Sequence, residues 1–242
     1  MSFLRAYVIT APLIVLATIG YGLVSLAISL FESSGRRQIG VARAWARCLL
    51  WGSGVKVKVK GLEKIAPGGS YVFVSNHLSY MDTPVVLANI PVQFRFLAKS
   101  GLFQIPLLGT HLARAGHIPV PRDDARAAVK TMTTAAHAIR ERGISLLIFP
   151  EGGRSQTGEL ADFKEGAAYI AIRAGVPLVP VALKGTREIL PFGSAHVRSG
   201  SVTMRIGDPV STEQMQVRDR VRLSAELHDR IATLLADQPI HA

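Results

Sequence analysis

Hydrophobic and polar positions follow three successive regimes along the chain. Residues 6–31, AYVITAPLIVLATIGYGLVSLAISLF, carry no charged side chain. As a helix at about 1.5 Å per residue they would reach roughly 39 Å, more than the roughly 30 Å hydrocarbon core of a bilayer. The run is longer than the apolar part of a cleaved signal and is followed by basic residues, so it reads as a retained membrane anchor. Pro12, Gly20 and Gly22 interrupt it, which leaves a kinked helix and a re-entrant hairpin both open. Over residues 38–51 the period becomes helical. Arg43 and Arg47, with Arg36 in line, fall on one side, and Val41, Ala42, Trp45, Cys48 and Leu49 on the other. That pattern predicts a basic amphipathic helix lying in a membrane interface, and it also suits a helix that packs its apolar side on a domain.

From Val55 the period drops to two. Val55, Val57 and Val59 alternate with Lys56, Lys58 and Lys60, predicting a strand buried on one face and cationic on the other. Further strands are predicted over 70–75, 94–98, 117–120, 144–149, 178–183 and 202–206. Helical patterns lie between and after them, over 83–89, 123–142 closed by Gly143, 164–174 closed by Gly175, and 212–236. Alternating strands and helices argue for a single α/β domain with a largely parallel mixed sheet flanked by helices. The expected division is 1–53, an anchoring apolar segment plus the basic helix, and 54–242, the α/β body.

Charge narrows the partners. The 28 Lys and Arg against 17 Asp and Glu give +11, which calls for an anionic partner. Nucleic acid is disfavoured, because no zinc-finger spacing, RNP-type aromatic strand or recognition helix is seen. An anionic lipid surface, where each nearby cation contributes about 1 kcal/mol, suits a chain with an apolar anchor. Arg36, Arg37, Arg43 and Arg47 follow the anchor and only Arg5 precedes it, so the positive-inside bias places the body on the cytoplasmic face of the cytoplasmic membrane. A single cysteine, Cys48, excludes an intrachain disulfide and any metal or redox site built from several thiolates.

Two constellations carry chemistry. After the apolar strand YVFVS comes NHLSYMD, residues 76–82. His77 and Asp82 can meet only if the chain turns between them, and Pro84 fits the first turn of a helix beginning near Asp82. A carboxylate on one imidazole nitrogen would leave the other free as a general base. The plainer alternative makes Asp82 an N-cap, or half of a capping box with Ser79, and His77 a loop histidine. The second constellation follows the strand SLLIF: Pro150, Glu151, Gly152, Gly153, Arg154 and Ser155. Adjacent glycines let backbone N–H groups approach an anion, and an arginine can grip a phosphate through paired hydrogen bonds. An ordinary glycine turn with a surface ion pair is the alternative. Lys99 after FRFLA and Arg122 after HIPVP place further cations at strand ends.

In order and spacing, NHLSYMD, GHIPVPR, FPEGGRS with the following FKEG, and VPLVPVAL resemble the four motif blocks of the glycerolipid acyltransferase family, over residues 55–207. The likeness is greatest to members that acylate 1-acyl-sn-glycerol 3-phosphate. The resemblance implies that 54–242 is a catalytic domain in which His77 acts as base on the acceptor hydroxyl and Asp82 orients it. It further implies that Glu151 and Arg154 engage the glycerol phosphate, supported by Gly152, Gly153, Arg122 and Lys99, while residues 176–183 line the acyl or acceptor side. Pro121 stands where the family often has an acidic residue. The expected substrates are a lysophospholipid acceptor and acyl-CoA or acyl carrier protein as donor, with no cofactor and no metal.

The G-x-S-x-G nucleophile elbow and the H-E-x-x-H metal motif are both absent from the sequence, and Cys48 belongs to none of the four blocks. Direct transfer is therefore expected, without an acyl-enzyme, and with backbone N–H groups stabilising the oxyanion. His111, His117, His137, His196 and His228 read as structural or surface residues. Three alternatives share parts of the pattern: an acyltransferase for glycerol 3-phosphate, another lysophospholipid or a lyso-ornithine lipid; a catalytically silent lipid carrier; and a nucleic-acid binder.

Overall fold

The structure, a computed structural model, describes residues 6–121 and 124–236. Seven strands form one sheet: β1 (Val55–Lys60), β2 (Val72–Ser75), β3 (Phe94–Lys99), β4 (Ile118–Val120), β5 (Ser145–Ile148), β6 (Leu178–Lys184) and β7 (Gly200–Ile206). Their order is β1-β7-β6-β2-β5-β3-β4. All pairings are parallel except β6 with β7, as expected of a mixed, largely parallel sheet. Both faces are covered, so successive residues of the central strands enter two different cores. Phe73, Leu147 and Val181 pack under α2 (Arg36–Gly52) and α3 (Asp82–Asn89). Val72, Val74, Leu146 and Ile148 pack under α5 (Ala125–Arg142), α6 (Gly166–Ala174) and α8 (Arg220–Ala236). A strand buried on both faces needs a continuous apolar run, which SLLI and VFV supply.

The apolar segment forms a π-type turn, Ala6–Thr10, that runs into one unbroken helix, α1 (Ala11–Ser29). Pro12 sits in the first helical turn, where its missing N–H costs no hydrogen bond, and both Gly20 and Gly22 are inside the helix. The hairpin alternative is thereby removed. The burial pattern of α1 is inverted: its buried positions are Ser25 and Ser29, while Val15, Leu16, Ile19, Leu23 and Val24 are exposed. The helix is fastened by polar contacts. Ser25 Oγ lies 2.7 Å from His111 Nδ1, Trp45 Nε1 donates to Thr18 Oγ1 at 3.1 Å, and Arg114 donates to the Ser29 carbonyl at 3.3 Å. The buried Arg95 guanidinium donates to the Ser34 carbonyl at 3.1 Å, tying the α1–α2 connection to β3.

The structure corrects the interfacial reading of α2. Its buried residues are Gln38, Ile39, Ala42, Ala46, Leu49 and Leu50, and Ala42, Ala46 and Leu50 share a core with Phe73, Val85 and Val86. Arg43, read from the sequence as part of the exposed basic side, donates to the Ile90 and Val92 carbonyls at 2.8 and 2.5 Å. Thus α2 is a layer of the α/β body, and a boundary at residue 53 would cut it from its own core. Two short helices escaped the sequence pattern: α4 (Leu108–Arg114) and α7 (Thr186–Ile189). The last helix is shorter than the predicted 212–236. Val210 bridges to Leu178 and Thr212 Oγ1 donates to the Val176 carbonyl, so the chain is still docked on β6 before α8 begins.

Candidate active site

Strands β2, β3, β4, β5 and β6 point the same way, so their carboxyl ends share one sheet edge, where open α/β sheets bind ligands. Both chemical constellations emerge there from adjacent strands, β2 and β5. Asn76 continues the ladder past the end of β2 with its side chain: its amide donates to the Leu183 carbonyl at 2.9 Å and accepts from the Leu183 N–H at 2.8 Å. The next residue, His77, is therefore launched from a fixed point at the sheet edge.

A turn brings His77 and Asp82 together. The imidazole Nδ1 is 2.7 Å from Asp82 Oδ2, and the same oxygen accepts the Leu78 and Ser79 backbone N–H groups at 2.7 and 2.8 Å. The capping and orienting readings of Asp82 thus coexist in one carboxylate. An oxygen already accepting two N–H groups meets the ring as an acceptor, so Nδ1 carries hydrogen and Nε2 keeps its lone pair. Phe149 stacks on the imidazole at 4.0 Å and 15°. The carboxylate side chain is 0 % exposed and that of His77 18 %, so solvent reaches only the histidine of the pair.

The β5 loop is laced to the β2 loop. Glu151 Oε1 accepts the His77 N–H at 2.6 Å, Oε2 accepts the Ala161 N–H at 3.2 Å, and Ser155 N–H donates back to the His77 carbonyl at 2.8 Å. Glu151, expected beside the glycerol phosphate, turns both oxygens to backbone donors and braces the backbone of His77. A carboxylate aimed at a phosphate would be repelled, whereas aimed at N–H groups it is stabilised. Burial pushes the Glu151 carboxyl above its usual range, and the two N–H groups partly offset this.

The cations are distributed unevenly. Arg154 lies 3.5 Å over the Tyr80 ring and 4.7 Å from the Phe192 ring centroid. Gly152 holds φ 77°, and a Cβ there would come within 2.7 Å of Lys164 Nζ, so the Lys164 ammonium lies across the glycine turn. At Gly153 next to it, a Cβ would meet nothing within 4 Å. Lys99 ends β3, exposed, at the same sheet edge and in register with Val120. Arg122 lies outside the described residues. Reading the sequence missed the clamp of Tyr80 and Phe192 and the place of Lys164. The FKEG segment was a usable signal for the lysine, but nothing near position 192 announced that partnership.

A covered sheet with a histidine–carboxylate pair at its carboxyl edge, beside a glycine turn flanked by cations, defines the chain as an α/β protein with a candidate base and candidate anion-binding groups side by side. Residues 56–184 match the family model described as Acyltransferase. The chain is 34 % identical over 208 residues to the chloroplastic 1-acyl-sn-glycerol-3-phosphate acyltransferase LPAT1 of Arabidopsis thaliana, covering 85 % of this chain and 56 % of that protein. It is 30 % identical over 226 residues to the 1-acyl-sn-glycerol-3-phosphate acyltransferase of Saccharomyces cerevisiae, covering 91 % of this chain and 74 % of the yeast protein. The chain spans little more than half the length of the Arabidopsis relative. In fold it is similar to the crystal structure of the 1-acyl-sn-glycerophosphate acyltransferase PlsC from Thermotoga maritima, with TM-score 0.80, 24 % identity, and 99 % and 100 % of the two chains covered. The chain belongs to the acyltransferase family.

Proposed function

We propose that the chain transfers a fatty acyl group from a thioester, acyl-CoA or acyl carrier protein, to the sn-2 hydroxyl of 1-acyl-sn-glycerol 3-phosphate, giving phosphatidic acid. The observation that carries this reading is the His77–Asp82 pair, with Nδ1 2.7 Å from a buried carboxylate oxygen. In the proposed step His77 Nε2 takes the proton of the acceptor hydroxyl as its oxygen attacks the thioester carbonyl. The tetrahedral intermediate then collapses, the C–S bond breaks, and the proton passes from the imidazolium to the departing thiolate. Asp82 holds the ring and stabilises the imidazolium, while Glu151 fixes the backbone that carries it. Arg154 holds the acceptor phosphate, with Lys164 and Lys99 as further cations along that sheet edge. The names of the relatives favour a lysophosphatidate acceptor.

Membrane association is part of the proposal. The helical stretch Tyr7–Ser29 is long and apolar enough to cross a bilayer, and almost none of it is buried in the protein. A helix that turns serines to the protein and leucines outward is suited to apolar surroundings. We place it in the cytoplasmic membrane with the α/β body on the cytoplasmic face. The test is an acceptor panel with one labelled acyl thioester: 1-acyl-sn-glycerol 3-phosphate, glycerol 3-phosphate, lysophosphatidylcholine and a lyso-ornithine lipid. Preferred acylation of the first is expected, and preferred acylation of any other would replace the acceptor assignment.

A further inference from the structure

Among the described residues, Arg154 is the motif cation whose side-chain partners are two rings. Among the described residues its guanidinium makes no hydrogen bond and no ion pair, and its contacts are Tyr80 and Phe192. A guanidinium over aromatic faces keeps its N–H edge free for an anion, whereas a carboxylate partner would occupy that edge. The two rings are 64 % and 41 % exposed, so core burial does not explain their positions.

Both rings hang from backbone that the catalytic turn itself fixes. Ser79 donates its N–H to Asp82 Oδ2 at 2.8 Å and its hydroxyl to the Leu190 carbonyl at 2.8 Å. It also accepts the Met81 N–H at 3.1 Å. Tyr80 lies between the two residues so pinned, and Phe192 follows two residues after Leu190. The carboxylate that orients the imidazole therefore anchors the turn bearing one ring, and the neighbouring serine anchors the segment bearing the other. The base and the cation are connected through a short chain of hydrogen bonds.

We propose that Tyr80 and Phe192 are positioning residues that hold Arg154 at a set distance from His77, ready to receive the phosphate of a lysophosphatidate-type acceptor. This rests on the acceptor assignment above. A long arginine loses rotamer freedom when it grips a ligand, and rings that already hold it remove part of that cost.

The test measures kcat and both KM values for the purified full chain in detergent micelles of fixed composition. The substrates are a labelled acyl thioester and 1-acyl-sn-glycerol 3-phosphate. Tyr80→Leu and Phe192→Leu each raise the acceptor KM about two- to fivefold, the range expected for an exposed cation–π contact, with kcat and donor KM held. Tyr80→Phe, which keeps the ring, returns the acceptor KM to near the parent value. In an Arg154→Ala background Tyr80→Leu has no further effect, because the group it positions is gone. An equal effect of Tyr80→Leu with and without Arg154 would overturn the proposal and assign the ring to lipid contact. Silent ring variants in a chain that still responds to Arg154→Ala would overturn it while sparing the acceptor assignment. An unchanged acceptor KM in Arg154→Ala itself would remove the phosphate role of Arg154 and this proposal together, while the acceptor panel decides the acceptor assignment separately.

Discussion

Replacing Asp82 by Asn alters one group at the point where chain geometry and chemistry coincide. Asp82 Oδ2 accepts three N–H donors, and Oδ1 is buried with no partner among the described residues. An asparagine can keep its carbonyl toward the three donors, but its NH₂ then occupies the place of Oδ1 without an acceptor. Because Oδ1 is already unpaired in the parent, the added cost is that three charge-assisted hydrogen bonds become neutral ones, about 1–3 kcal/mol in all. At roughly 2–4 °C per kcal/mol for a chain of this size, Tm should fall by about 2–12 °C. The loss of negative charge also removes the partner of the imidazolium, so kcat should fall by about 10²- to 10⁴-fold at a temperature where the variant is still folded. The assay pairs thermal melting by circular dichroism with labelled acyl transfer on the same sample. Wild-type kcat in Asp82→Asn would refute the orienting role, and activity falling only with the unfolded fraction would reduce Asp82 to a turn residue.

Other variants probe other links. Arg43→Ala leaves the Ile90 and Val92 carbonyls without their donor and should lower stability by about 1.5–3 kcal/mol, with little change in kcat at low temperature. A Tm equal to the parent would return α2 to the interfacial reading. Burial raises the Glu151 carboxyl above its reference of 4.5, so the folded chain holds that proton to higher pH than the unfolded chain. The contribution is full below the unfolded value and is lost as pH rises through the folded one; Glu151→Gln should flatten this fall in Tm, and an unaltered pH slope would contradict it. Leu16, 69 % exposed on α1, contributes nothing to the protein core. Leu16→Lys should shift the chain from membranes to the soluble fraction at unchanged Tm, at about 2.5–3.5 kcal/mol per buried charge. Unchanged partitioning would contradict membrane insertion of this face.

Legibility varied with the locality of the signal. The strands were readable because period-two alternation in VKVKVK and the continuous apolar runs VFVS and SLLI report burial directly. The meeting of His77 and Asp82 was readable because a turn with Pro84 close behind lies within a few residues. The face of α2 was misread because Arg43 looks like any solvated cation until the carbonyls ending α3 are placed beside it. The brace of Glu151 on His77 joins residues 74 apart, and the clamp on Arg154 joins positions 80, 154 and 192. No window of sequence contains such contacts. Short α4 was lost because Pro106 and Gly109 break its periodicity.

The most direct test compares steady-state acyl transfer to 1-acyl-sn-glycerol 3-phosphate by purified wild-type chain and His77→Ala. Two backbone N–H groups still hold Asp82 in that variant, so its melting curve should stay close to the parent while turnover falls by at least about 10²-fold. A well-folded His77→Ala that turns over at near wild-type rate would contradict the assignment of this imidazole as the base.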